Sequence, residues 1–294
     1  MPDTPAGTPT PPPTTTDDSN SDRPALTLVR HPLVMRRLTV AEVTRPTPRL
    51  VRVALGGDDL DGFRSDGPAD HVKVFFPPAG ETEPALPRLG PDGIESGQAL
   101  PRTARDYTPR HHRLADGLLE LDLVVHDGGL ASGWAEQARP GQWLGVAGPR
   151  GSHVPTGRFT SLVLAGDETA LPAMANWLRW APAGLAVTVV AEVADAHDHQ
   201  DLSAGTAAAL DLRWAHRGDA PLADGTALVD AVAALPDVEP TLGPGTFWWV
   251  AGETAVVQRI RRHLLDDRGV EADLVSSRGY WKQGAADHQE PHAD

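Results

Sequence analysis

The chain has 294 residues, of which 40% are hydrophobic and 5% aromatic, so it is long and apolar enough for two domains with cores of their own. Its formal net charge of −14 opposes binding to phosphate backbones and to anionic membrane surfaces. It contains no cysteine, which excludes disulfides, thiolate nucleophiles, iron–sulfur clusters and cysteine-bound zinc.

Residues 1–24 are rich in Pro, Thr, Asp and Ser and hold almost no large apolar side chains. Such a segment cannot bury enough surface to offset its ordering entropy, so a disordered tail is expected there. The start of the chain lacks the basic region and apolar run of a signal peptide. No apolar stretch nears the roughly 20 residues of a membrane span, so a cytoplasmic protein without membrane insertion is expected. Over 25–156 the pattern is one of short strands, with runs at 37–44, 49–55, 71–76 and 118–126 separated by Gly and Pro clusters. This spacing predicts an antiparallel β-barrel, with an irregular insertion at 80–100 and one helix at 131–138.

After residue 157 the rhythm changes. Continuous apolar runs at 161–166, 185–193 and 246–252, with shorter ones at 211–215 and 272–276, alternate with helix-like segments at 171–180, 227–235 and 254–266. Strands buried on both faces and alternating with helices predict a parallel α/β sheet over 157–284, followed by a flexible tail at 285–294. The expected fold is therefore an all-β half followed by an α/β half.

Five segments carry chemistry. Arg105-x-Tyr107-Thr108-x-Arg110 offers a planar fork for phosphate, a π-face with a polar tip, and a small hydroxyl. That set suits a flavin, and it equally suits a surface strand with scattered arginines. Strand alternation puts Arg105 and Tyr107 on one face and Thr108 on the other, unless the strand bends. In His126-Asp127-Gly128-Gly129-Leu130-Ala131-Ser132 a strand ends in glycines that open a helix, an arrangement that admits an anion or serves as a plain turn capped by Ser132.

Gly166-Asp167-Glu168-Thr169 follows the first parallel strand, where open α/β sheets bind nucleotides. There is no Gly-x-Gly-x-x-Gly, and helix capping by Asp167 or Thr169 is the alternative. Gly252-Glu253-Thr254 repeats that form at a later strand, so the two loops could line one cleft. Gly279-Tyr280-Trp281-Lys282 combines aromatics with a cation near the chain end and could also simply seal the sheet. The only two tyrosines, Tyr107 and Tyr280, both fall in these segments.

Together and in this order, with the strand 70–77 before them and Gly148-Pro149-Arg150-Gly151-Ser152 between, these segments resemble the siderophore-interacting proteins, a branch of the ferredoxin-reductase-like flavoproteins. The resemblance spans about residues 30–284. It implies a six-stranded FAD-binding barrel followed by an NAD(P)H-binding α/β domain. It further implies a monomer that reduces ferric siderophore with electrons from NADPH or NADH. By the same resemblance Arg105, Tyr107 and Thr108 contact FAD, with Thr108 tuning the flavin N5; Arg110 is a further candidate for FAD, with bracing of the strand as its alternative. His126 and the Gly128, Gly129, Ala131 and Ser132 backbone hold its phosphates and adjoining groups. Gly166, Asp167, Glu168, Thr169, Gly252 and Glu253 border the nicotinamide nucleotide, and Tyr280 and Trp281 lie near the isoalloxazine. Lys73 and Lys282 serve the anionic siderophore. Leu130 stands where the family often has Pro, and Gln283 where a second basic residue is common.

For the 2′-phosphate of NADPH the residues leave Arg213 and Arg217 open, while Glu192, ending the second parallel strand, is placed to meet a ribose hydroxyl as in NADH binding. Three other functions share parts of this pattern. They are a flavin reductase with a quinone or protein acceptor, a non-enzymatic siderophore-binding protein, and a metal site built from His111-His112 or His197-x-His199. Adjacent histidines on a strand point oppositely, and no metal is expected.

Overall fold

A computed structural model describes residues 23–90, 93–94, 103–113, 116–126, 128–236 and 245–285. Most of the expected N-terminal tail, nearly all of the C-terminal tail and much of the 80–100 insertion lie outside the described residues.

The first half is antiparallel. β1 (Ala25–Arg30) pairs with β11 (Gly151–Thr156). The main sheet contains β2 (Met35–Thr47), β3 (Leu50–Gly56), β4 (Val72–Phe75), β7 (Ala104–Tyr107), β8 (Pro109–Arg113), β9 (Leu118–Val124) and β10 (Trp143–Ala147). β5 (Leu89–Gly90) pairs with β6 (Gly93–Ile94) as a separate two-stranded sheet. The strand order is β7-β4-β10-β2-β3-β9-β8. The two edge strands, β7 and β8, are neighbours in the chain, separated by Thr108 alone. Only a sheet curled on itself can bring its two edges to one residue, which is why Thr108 marks the closure. The six strands expected appear as seven paired segments, because the run 104–113 divides at Thr108.

Alternation buries Leu38, Val53, Val72, Val74, Leu121 and Leu144 inside this curl, and the helix α1 (Leu130–Glu136) closes it with Ala135. Each such side chain contributes roughly 1.5–3 kcal/mol by leaving water.

The second half is a parallel sheet in the order β14-β13-β12-β15-β16, formed by β12 (Ser161–Gly166), β13 (Ala186–Val193), β14 (Ala209–His216), β15 (Thr246–Glu253) and β16 (Val275–Trp281). Every residue of β12 and β15 is buried, as strands covered on both faces require. Leu162 and Leu164 face α2 (Leu171–Trp180) with Trp177 and Trp249, while Val163 and Ala165 face α3 (Thr226–Ala233) and α4 (Thr254–Arg262) with Val232 and Ile260. Most element bounds lie within a few residues of the sequence reading, and the end of the chain departs from it most. α4 gives way to a π-turn at His263–Asp267, and the last strand begins at Val275 and runs on to Trp281, through the Tyr280-Trp281 segment. Among the described residues no helix is long and apolar enough to cross a membrane.

Candidate nucleotide and flavin site

The carboxyl ends of β12, β13 and β14 open onto a cleft of about 380 Å³ between the two halves. Arg49, Val124, Val125 and His126 line it from the antiparallel side. Glu168, Ala194 and the segment 217–220 with Leu222 line it from the parallel side. His126 and Glu168, drawn from two separate motifs, thus share one space. Glu168 is buried and ion-paired with Arg217. Burial pushes the Glu168 carboxyl up, and Arg217 opposes that. Arg213 is instead held by Asp211 on its own strand, at 2.9 and 2.7 Å. Arg49 bridges the halves through Asp198 at 2.6 Å.

Glu192 is wholly buried beneath the cleft. One carboxylate oxygen accepts the Leu228 N–H at 3.0 Å, and the other has no hydrogen-bond partner. Burial pushes this carboxyl up to about 7, and the Leu228 N–H opposes the shift. It is a floor for α3, and its depth keeps it from the exposed rim where a ribose hydroxyl would be met.

The loops after β12 and β15 lock together. Asp167 accepts from the N–H and hydroxyl of Thr169 at 2.9 and 2.5 Å and from the N–H of Glu253 at 2.9 Å. The indole N–H of Trp281 adds a fourth bond. Gly252 sits at φ +146°, and a Cβ there would lie 2.5 Å from an Asp167 oxygen, so only glycine admits the carboxylate. Glu253 caps α4 through the N–H groups of Ala255 and Val256 at 2.5 and 3.1 Å, and its other oxygen accepts from Gln283 N–H at 3.3 Å. The capping alternative therefore describes the Asp167 and Glu253 side chains, whose oxygens are bonded within the protein.

The Arg105–Arg110 segment bends at Thr108. Tyr107 packs edge-on against Phe76, with ring centroids 5.9 Å apart, and Phe76 in turn meets Trp134 of α1 at 5.3 Å. Thr108 is buried beside Tyr280 of β16, so the closure of the antiparallel sheet meets the last strand of the parallel one. The Tyr280 hydroxyl is buried, lies against Thr108 and makes no hydrogen bond of normal geometry; burial pushes its titration up. Arg105 is half-buried and donates to the Ala104 carbonyl at 2.7 Å. Arg110 points to the buried Asp122 at 3.3 Å, which also receives a two-pronged bond from Arg52 at 2.6 and 3.0 Å. Burial lowers the Arg110 pKa, and Asp122 opposes that shift.

At the Gly128–Ser132 turn the Ser132 hydroxyl accepts from His126 N–H at 3.1 Å and donates to the Val124 carbonyl at 3.3 Å, tying strand end to helix. The N-cap is Gly129, where a Cβ would come within 2.6 Å of the His126 ring. Ala131 packs on the barrel core. Lys73 is paired across β4 and β7 with Asp106 at 2.8 Å, and Lys282 is exposed in the turn after β16. Of the histidines, His197 bonds Asp195 and His199 bonds His216, each at 2.8 Å. Among the described residues no three His, Asp or Glu side chains are grouped to hold a metal; the side chains of His111 and His112 lie outside the described residues.

Two features suit FAD at the seam. The buried Tyr280 hydroxyl lies against Thr108 without a hydrogen bond of normal geometry, and at Gly128, φ +76°, a Cβ would meet nothing within 4 Å, which leaves the turn after β9 open to close approach. The cleft residues Arg49, Ala194, Gly218, Asp219 and Leu222 were not singled out by sequence, since nothing in their local pattern separates them from ordinary loop residues.

Comparison with known proteins agrees with this architecture. Residues 39–153 match the family model of the siderophore-interacting FAD-binding domain, and residues 159–284 that of the siderophore-interacting protein. The NADPH-dependent ferric-chelate reductase of Escherichia coli is 34% identical over 259 residues, covering 86% of this chain and 95% of that protein. The ferric vibriobactin reductase ViuB of Vibrio cholerae is 32% identical over 247 residues, covering 83% and 89%. The crystal structure of a siderophore utilization protein from T. fusca superposes with a TM-score of 0.80 at 37% identity, covering 90% of this chain and 98% of that one. The chain belongs to the siderophore-interacting protein family.

Proposed function

We propose that the protein is an FAD-dependent reductase that takes electrons from NADPH or NADH and reduces ferric siderophore, so that iron leaves as the more weakly held ferrous ion. The observation that carries the reading is the meeting of Thr108 and Tyr280 at the seam of the two halves, beside a cleft at the carboxyl ends of the parallel strands.

In this reading Arg105, Tyr107, Thr108 and the turn Gly128–Ser132 hold FAD, with His126 at its edge. Tyr107 lends a π-face backed by Phe76, and Thr108 and Tyr280 supply hydroxyls in a setting that excludes water. FAD, when bound, supplies the conversion of a two-electron hydride into single electrons. Gly166, Thr169, Arg217 and the main chain of the loops after β12 and β15 border the nicotinamide nucleotide. Asp167 and Glu253 contribute by fixing those loops, because their own oxygens are engaged. No residue acts as nucleophile; the chain orients and insulates. Trp281 is anchored by its indole N–H to Asp167, and exposed Lys282 next to it attracts an anionic siderophore, with Lys73 already balanced by Asp106. The same proposal includes a monomeric, cytoplasmic enzyme whose expected units are 25–156 for FAD and 157–284 for the nucleotide.

The test is an anaerobic assay of purified protein reconstituted with FAD, using NADPH or NADH and several ferric siderophores with a ferrous chelator as reporter. Chelator colour that depends on nucleotide, flavin and siderophore together is the expected result. A protein that gains no FAD, or passes electrons only to quinone, sinks the proposal.

A further inference from the structure

α2 belongs to the parallel half, yet one of its residues reaches into the antiparallel half. The Asn176 side-chain amide donates one hydrogen to the Pro109 carbonyl at 2.8 Å and the other to the Pro68 carbonyl at 3.0 Å. Both acceptors are carbonyls, so the orientation of the amide is determined by its partners: only the NH2 end can satisfy them. Asparagine is a poor interior residue for a helix, and its neighbours Ala173, Met174, Trp177 and Leu178 are the apolar residues expected of a packed face. Its presence at position 176 is explained by these two bonds.

What the two carbonyls have in common is Thr108. Pro109 is the next residue in the chain. Pro68 belongs to the loop that leads into β4, and β4 pairs with β7 so that Val72 stands opposite Tyr107. That loop is itself rigid. Asp70 gathers Ser152 Oγ at 2.6 Å and the Ser65 hydroxyl and Gly67 N–H at 3.1 Å each. Asn176 therefore holds the Tyr107-Thr108-Pro109 bend against a fixed loop from one side, while Tyr280 of β16 meets Thr108 from another. The closure point of the antiparallel sheet is fastened to the parallel sheet by main chain through α2 and by side chain through β16.

We infer that Asn176 is a positioning residue for the flavin site: from the nucleotide half it sets where the Thr108 hydroxyl stands, without touching flavin or nucleotide itself. The inference rests on the FAD reading above. It gives this amide a part in the registration between the half that holds flavin and the half that delivers the reductant, beside the Arg49–Asp198 pair. Displacements of about 1 Å at a reacting centre cost up to about a hundredfold in rate.

The experiment compares the full-length parent with Asn176→Ala and Asn176→Asp. The aspartate keeps the shape but presents oxygens to two carbonyls, so it should act more strongly than alanine. Four quantities are read: FAD affinity, the visible spectrum and midpoint potential of bound flavin, the rate of flavin reduction at saturating NADPH, and hydrogen exchange of the 103–113 backbone in flavin-free protein. Expected are altered spectrum and potential, a reduction rate lower by on the order of tenfold at unchanged KM, and faster exchange over 103–113 in both variants. Unchanged spectrum, potential, saturated rate and exchange, with only a lower Tm, would overturn the inference and leave Asn176 as a brace. A parent that binds no FAD would overturn the proposed function and this inference with it. A parent that is yellow and reducible, with variants indistinguishable from it, overturns the inference alone.

Discussion

The indole N–H of Trp281 donates to the Asp167 carboxylate at 3.0 Å, joining the last strand of the parallel sheet to the loop that leaves its first. The bond crosses over β15, whose Glu253 N–H reaches the same carboxylate oxygen. Three loops at the carboxyl edge of the sheet thus converge on one buried side chain. Burial pushes the Asp167 carboxyl up, and its donors, Thr169 and Trp281 foremost, hold it down.

Removing that acceptor strands two buried donors, the Glu253 N–H and the Trp281 indole. Each buried donor left unmet costs about 1–3 kcal/mol, so Asp167→Ala should lose roughly 2–6 kcal/mol and several degrees of Tm. Asp167→Asn keeps one oxygen and should recover part of the loss. Thermal unfolding followed by circular dichroism reads both. A variant with parental Tm and a raised KM for nucleotide would mean that Asp167 faces the ligand after all.

Arg110 separates two roles that its motif leaves together. Its guanidinium reaches buried Asp122, which retains the two-pronged bond from Arg52 when Arg110 is lost. Arg110→Met should therefore destabilise by only about 1–2 kcal/mol, below the cost of leaving a buried charge wholly unpaired. FAD affinity should stay within about threefold of the parent, a change of less than about 0.7 kcal/mol. Equilibrium dialysis with FAD, set beside the Tm, decides: a tenfold loss of FAD affinity at parental stability would place Arg110 on the flavin.

The alternation of β2, β3, β4 and β9 and the all-apolar run of β12 made the two halves legible, because burial on one face or on both writes directly into local composition. β10 escaped notice: Trp-Leu-Gly-Val-Ala is short, lacks polar alternation and follows a Pro-Gly turn, so its place between β4 and β2 is a tertiary fact. β16 was cut short because Gly279 interrupts it. Its glycine sits opposite Gly252, just where the pairing of β15 with β16 slips. For the site, residue type showed which side chains could bind a nucleotide but not which are already engaged. Asp167, Glu253, Ser132 and Lys73 each look available in sequence, and each is bonded to a partner within the protein. Asn176 and Arg49 gave no local sign, because their partners lie 67 and 149 residues away.

Glu192 predicts a pH dependence of stability. Its folded-state value of about 7 lies above the ordinary 4.5, so between these the folded chain holds a proton that the unfolded chain releases. Stability therefore falls as pH rises from about 4.5 to about 7, and the loss is complete above that window. Glu192→Gln keeps an oxygen for the Leu228 N–H and carries no charge. It should match the parent near pH 5, exceed it by a few degrees of Tm at pH 8, and flatten the decline between. Melting curves at four pH values across this range test the sign; a constant offset between parent and variant would refute it.

Arg217 is the arginine that the parallel half brings to the cleft, since Arg213 is occupied by Asp211. It leans on buried Glu168, a pair that an incoming phosphate can share, because a guanidinium has five donors and Glu168 does not use them all. Arg217→Ala should raise KM for NADPH on the order of tenfold, about 1.4 kcal/mol, and raise that for NADH much less, because the 2′-phosphate is the only chemical difference between them. The same substitution leaves Glu168 buried and unpaired, so Tm should fall as well. Adding Glu168→Gln to Arg217→Ala removes that stranded charge and should restore Tm without restoring KM. Steady-state kinetics with both nucleotides on the three proteins separate the two effects. If KM rises equally for NADH and NADPH, Arg217 serves a part that the nucleotides share; if it recovers together with Tm in the double variant, the arginine only neutralises Glu168.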